Sequence, residues 1–193
     1  MGPSEPVREA EHRSVYTYMT LELGWKFRNN VTIMDKGKQL STVTPWLRHV
    51  QDLSSRVWVL HNDILTVVPR KEQTVPVTVT LLPYQYPEIL EKDRGDPMYM
   101  GLREPQCCLV CTRQGEQPVL HLKKGNVLEL YRQREPVKPS LFYHNKSGTT
   151  STFESAAFPG WFIAVCSKGS CPLFLTQELG KTHITDFEMT MVH

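Results

Sequence analysis

The chain has 193 residues, a formal net charge of +2 and a hydrophobic share of 40%. That length suits one domain with an appendage, because a core of about 150 residues can fold without staples. The charge is too small and its Lys and Arg too scattered to make nucleic acid a partner, no run approaches the ~20 apolar residues needed for membrane insertion, and 14 prolines disfavour long helices.

In chain order, Met1 to Leu40 opens with Glu5, Arg8, Glu9, Glu11 and Arg13. Its one apolar stretch, Val15 to Trp25, is interrupted by Thr17, Thr20 and Glu22. No signal-peptide core is present, and residues 1–40 read as a flexible leader that is removed. Ser41 to Asp52, with Pro45 inside it, reads as a linker. Short strands are then predicted at 57–60, 65–68, 77–82, 98–102, 109–111, 119–122, 141–144, 151–155, 161–166, 173–176 and 187–192. Proline and glycine breakers separate them, and one helical turn is expected over Asn126 to Tyr131 with Asn126 as its N-cap. The predicted class is all-β.

Three pairs of these strands read as hairpins. Arg56 to Val68 turns at His61-Asn62-Asp63, and Cys107 to Leu122 turns between Thr112 and Gln117. Trp161 to Thr176 turns at Ser167-Lys168-Gly169-Ser170 and is entered through the corner Pro159-Gly160. Trp58, Leu109 and Ile163 are spaced 51 and 54 positions apart, which predicts three copies of one unit. Eleven strands are marked, and a threefold set of twelve is most naturally closed into a barrel, which removes exposed sheet edges. Within Val77 to Leu82 apolar and hydroxyl residues alternate for four positions, as a strand with one buried face should. The core is predicted from Trp58, Leu60, Leu65, Val79, Leu81, Leu109, Leu120, Leu122, Leu141, Phe153, Phe162, Ile163, Leu173 and Leu175.

Catalytic signatures are missing: there is no GxSxG elbow, phosphate loop, GxGxxG or HExxH. The seven histidines are dispersed singly. Cys107-Cys108-x-x-Cys111 has a spacing that can hold a metal, but no second pair completes a tetrahedral shell, so these read as strand residues. Cys166 and Cys171 flank a turn and are read the same way, with a cross-link under oxidation as the alternative. An odd count of five cysteines argues against a complete disulfide framework. Arg94-Gly95-Asp96 reads as a turn ahead of Pro97 rather than an adhesion motif. Asn30-Val-Thr32 and Asn145-Lys-Ser147 fit the glycan acceptor pattern, which stays unused without an export signal. No enzyme activity, cofactor or metal is expected.

Phe153-x-Ser155-Ala156-x-x-Pro159-x-x-Phe162-Ile163-Ala164, followed by Leu173, resembles the signature of the interleukin-1 cytokine family. Val165 stands where the signature usually has Thr. Arg56 to Leu60, Val68-Pro-Arg70, Leu90 to Gly95, Glu135 to Lys138, Leu141 to His144 and Leu175 to Gly180 are similar to its interleukin-36 branch, and the resemblance runs from about Val50 to His193. It implies a β-trefoil, a six-stranded barrel capped by three hairpins, and a monomeric ligand exported without a signal peptide.

The resemblance also implies partners. These are a processing protease, the interleukin-36 receptor and the interleukin-1 receptor accessory protein, with NF-kappa-B and MAP kinase signalling downstream. Branch members are processed nine residues before an aliphatic-x-Asp motif. Val50-Gln51-Asp52 fits, so cleavage between Leu40 and Ser41 is expected. Receptor contact is expected from loops held by the barrel: Gln51, Asp52, Arg70, Lys71, Arg94, Asp96, Arg103, Glu104, Lys138, Asn145, Lys146, Glu178 and Lys181. A receptor antagonist of the same family and an intracellular binding trefoil are the alternative readings.

Overall fold

The computed structural model describes residues 31–35 and 38–192, with side chains from Val43 onward. The chain divides into two units, Met1–Thr44 and Pro45–His193. In the first, β1 (Val31–Asp35) and β2 (Lys38–Val43) form an antiparallel hairpin with Ile33 opposite Ser41. The end of the expected leader is therefore strand. The remainder of the leader, and the glycan pattern at Asn30, lie outside the described residues.

The second unit holds three hairpins and a barrel. β4 (Arg56–His61) turns into β5 (Ile64–Pro69) through Asn62 and Asp63. Both turn residues have φ near +50 to +60°, at 48° and 61°, as a two-residue hairpin loop matched to strand twist requires. β8 (Cys107–Gln114) turns into β9 (Gln117–Lys124) through Gly115-Glu116. In the third hairpin β12 (Phe162–Ala164) pairs with β14 (Phe174–Thr176), Ile163 opposite Leu175. Its connection is longer than the predicted turn: Val165 bridges to Ile184, and β13 (Cys171–Pro172) pairs with β5.

The barrel closes through β3 (Trp46–Asp52), β6 (Val79–Pro83), β7 (Asp96–Leu102), β10 (Leu141–Ser147), β11 (Thr150–Ser155) and β15 (Phe187–Met191). Each is antiparallel to the next, and β15 returns to β3. This is the threefold trefoil expected from the hairpin spacing. The linker assignment of 41–52 is corrected, since β3 is a barrel strand paired to both β6 and β15. Its inward positions are Arg48, Val50 and Asp52, so no apolar alternation marks it as a strand.

Trp58, Tyr99, Phe142, Phe153 and Phe187 are fully buried at the centre, with Trp58 edge-on to Phe187 at 5.2 Å. Most of the predicted core is buried, but Leu60, Leu120, Leu122 and Phe162 are half-buried. Thr80 is buried along with Val79, Leu81 and Leu82, because helix α1 (Val127–Tyr131) packs outside β6. Asn126 caps that helix as predicted, its Oδ1 accepting from Leu128 N at 3.0 Å.

Candidate interaction surface

The barrel has two unlike ends. At its mouth lie the start of β3, the segment 84–95, the 147–150 turn and the end of β15. This follows from Trp46 facing Leu81, Pro83 facing Met98, His144 facing Asp96 and Met191 facing Arg48. The opposite end carries the three hairpins and the turns 53–55 and 103–106.

The mouth gathers four of the predicted contact residues: Arg94, Asp96, Asn145 and Lys146. Gly95 makes this possible, with φ of +113° and a position where any Cβ would lie 2.7 Å from the Asn145 amide and from His144 O. Asn145 Nδ2 donates to Arg94 O at 2.8 Å. The Arg94 guanidinium stacks 4.4 Å from the Tyr143 ring centroid and donates to Glu91 at 2.8 Å and to Glu154. Partial burial works against the Arg94 charge, but the hydrogen bonds it donates to Glu154 and Glu91 prevail and raise its pKa. Glu154 also accepts from Gly160 N at 2.7 Å, tying the segment before β7 to the corner before β12. Arg94 is thus largely committed to holding its loop, while Asp96 and Lys146 remain exposed.

Beneath them His144 is buried, stacked on Phe153 at 5.3 Å and bonded through Nε2 to Ser151 Oγ at 2.8 Å. Desolvation lowers its pKa, with Asp96 pulling the other way and Lys146 adding to the fall.

The remaining predicted residues are dispersed. Arg70 and Lys71 are exposed after β5; Arg103 and Glu104 are exposed at the hairpin end, before a cis Glu104–Pro105 bond; Lys138, Glu178 and Lys181 are exposed on other connections. Gln51 is half-buried and donates to Glu188 at 3.1 Å. Asp52 is fully buried, and its proposed place on a contact surface is corrected. Its Oδ1 accepts from Ser54 N and Arg56 N, and its Oδ2 pairs with Arg56 Nε at 2.6 Å. Val50 is buried, and Leu40 and Ser41 lie in β2.

Sequence reasoning missed what Arg56 does. Its Nη2 donates to Cys166 O at 2.6 Å and its Nη1 to Gly169 O at 2.8 Å, so one side chain fastens the turn after β3 to the loop after β12. Cys166 and Cys171 are joined in a disulfide, which corrects their reading as ordinary strand cysteines. Among the described residues no group of three or more His, Cys, Asp or Glu is placed to hold a metal ion. No described helix is long and apolar enough to cross a membrane.

A family model described as Interleukin-1 / 18 matches residues 74–189. The chain belongs to the interleukin-1 family of cytokines. It is 72% identical to mouse interleukin-36 alpha over 160 residues, which cover 83% of this chain and all of that one. It is 54% identical to human interleukin-36 alpha over 155 residues, 80% of this chain and 98% of that one. The NMR structure of the pro-inflammatory cytokine interleukin-36alpha matches with a TM-score of 0.67 and 54% identity, over 81% of this chain and 99% of that one. Chicken interleukin 1 beta, at 22% identity over 77% of this chain and 97% of that one, shares the fold with a TM-score of 0.67. The resemblance carried by Phe158 to Val165 and Thr185 to Met189 is to interleukin-36 alpha, and these identities bear it out. This is an interleukin-36 branch cytokine with a trefoil fold and not an enzyme.

Proposed function

We propose that this interleukin-1 family chain is a secreted pro-inflammatory agonist, exported without a signal peptide and activated by proteolysis between Leu40 and Ser41. The mature ligand binds the interleukin-36 receptor and recruits the interleukin-1 receptor accessory protein. The observation that carries this is the 72% identity spanning the whole of mouse interleukin-36 alpha. The exposed residues Asp96 and Lys146 at the mouth, with Arg70, Lys71, Lys138, Glu178 and Lys181 on other loops, are the proposed contacts.

Processing fits this arrangement physically. A chain beginning at Ser41 has only five residues ahead of Trp46, where β3 enters at the mouth. A longer leader there would have to be ordered or displaced by a receptor, at an entropic cost.

Reporter cells carrying both receptor chains test the reading. The chain from Ser41 to His193 is expected to signal at a far lower concentration than the full chain. Equal potency of the two would remove the processing step. Silence of the trimmed form, with suppression of an added agonist, would make it an antagonist instead.

A further inference from the structure

The six residues from Cys166 to Cys171 form a loop whose two ends are anchored independently. Val165 bridges to Ile184 on one side, and Cys171-Pro172 pairs with Val67 and Thr66 of β5 on the other. Between these anchors Ser167, Lys168, Gly169 and Ser170 are exposed, and the two half-buried cysteines are linked.

Each of the two sulfurs has a polar donor beside it. Arg56 Nη1 lies 3.9 Å from Cys166 Sγ, and Cys166 N donates to Cys171 Sγ at 3.0 Å. The Arg56 charge is shared with the buried Asp52, so what sets this pair apart is its partial exposure together with the donors placed at its sulfurs. The remaining cysteines contrast with them. Cys108 and Cys111 are buried, and desolvation pushes their thiols up to about 11 and about 12. Cys107 is half-buried with no neighbouring thiol partner formed.

We propose that Cys166 and Cys171 are a reversible thiol–disulfide site, exchanging with the glutathione couple, that closes the Cys166–Cys171 loop in oxidising surroundings and releases it in reducing ones. In the closing direction the Cys166 thiolate attacks the disulfide of oxidised glutathione, forming a mixed disulfide and expelling one glutathione thiolate. The Cys171 thiolate then attacks Cys166 Sγ and expels the second. Two protein thiols lose two electrons and two protons, and one glutathione disulfide becomes two thiols. Because both ends of the loop are anchored, the change is confined to four exposed residues and the barrel is unaffected. This site stands independently of the receptor reading above.

The test equilibrates the full chain with an excess of reduced or of oxidised glutathione, alkylates it and maps the cysteines by mass spectrometry. Cys166 and Cys171 are expected as free thiols in the first buffer and as the disulfide in the second, with Cys108 and Cys111 unchanged in both. Trypsin cleavage after Lys168 is expected to be about tenfold faster in the reduced chain, a local opening seen at a single site. In Cys171→Ser, oxidised glutathione should leave Cys166 as the mixed disulfide, and Cys107→Ser should change none of these results. A pair that keeps one state in both buffers, a Lys168 cleavage rate indifferent to redox state, or a Cys171→Ser chain without mixed disulfide would each overturn the proposal.

Discussion

Two arginines fasten loops to this trefoil, and they do it in opposite electrical settings. Arg56, at the hairpin end, is paired with a fully buried Asp52 and has a side chain only 6% exposed. Arg94, at the mouth, shares itself between Glu154, 13% exposed, and Glu91, 68% exposed. A buried charge that loses its partner has no water to replace it, whereas an exposed pair is already nearly matched by solvent. The same residue type therefore depends on a single buried carboxylate in one place and is divided between a half-buried and an exposed carboxylate in the other.

The largest test of that contrast is Asp52→Asn, which keeps the shape and strands the Arg56 charge. Urea unfolding is expected to show a loss of roughly 3–5 kcal/mol. A loss under 1 kcal/mol would mean the pair is hydrated in solution. Next comes Cys171→Ser in an oxidising buffer. Opening a ring this small should cost roughly 2 kcal/mol by the chain-entropy account, with no change in the core aromatic signals by NMR. At the mouth, Glu154→Ala should cost about 1–2 kcal/mol because Gly160 N loses its acceptor together with Arg94. Glu91→Ala should cost under about 0.5 kcal/mol. If those two losses came out equal, burial would not be what separates the pairs.

The smallest effect is a pH dependence. Burial depresses the His144 pKa, so the unfolded chain binds the proton more readily than the native one. Stability is full above the unfolded value near 6.5 and is lost as pH falls below it, levelling off once the native histidine is also protonated. Denaturant midpoints should decline from pH 7 to pH 5, and less steeply in His144→Gln. His49, whose pKa burial also lowers with Arg70 adding to it, contributes a decline that remains in that variant.

What the sequence revealed follows from which signals are local. The first two hairpins were legible because Asn62-Asp63 and Gly115 impose their turns within a few residues, whereas for the third Pro159-Gly160 marked only the corner before it and not its longer connection. β3 was not legible, because its inward positions carry Arg48 and Asp52 in place of an apolar alternation, and Asp52 finds Ser54 N, Arg56 N and Arg56 Nε only once the turn after β3 has formed. The disulfide was weighed and set aside, since two cysteines beside a turn do not reveal whether both ends of that turn are anchored. Charged loop residues were found readily, but sequence did not separate Arg94, committed to Glu91 and Glu154, from Lys146, which is exposed. Asp52 was legible as part of a processing motif and invisible as the partner of Arg56.

The barrel is completed by pairing β3 with β15, and the side chains of Gln51 and Glu188, 137 positions apart, meet across that seam. During synthesis the first barrel strand therefore waits with one edge unpaired until nearly the whole domain has left the ribosome. Closure over such a separation costs loop entropy before it returns any contact, which places this protein among the slower-folding topologies. The buried charges of β3 suit that wait, because an unpaired strand bearing Arg48 and Asp52 is a poor template for aggregation.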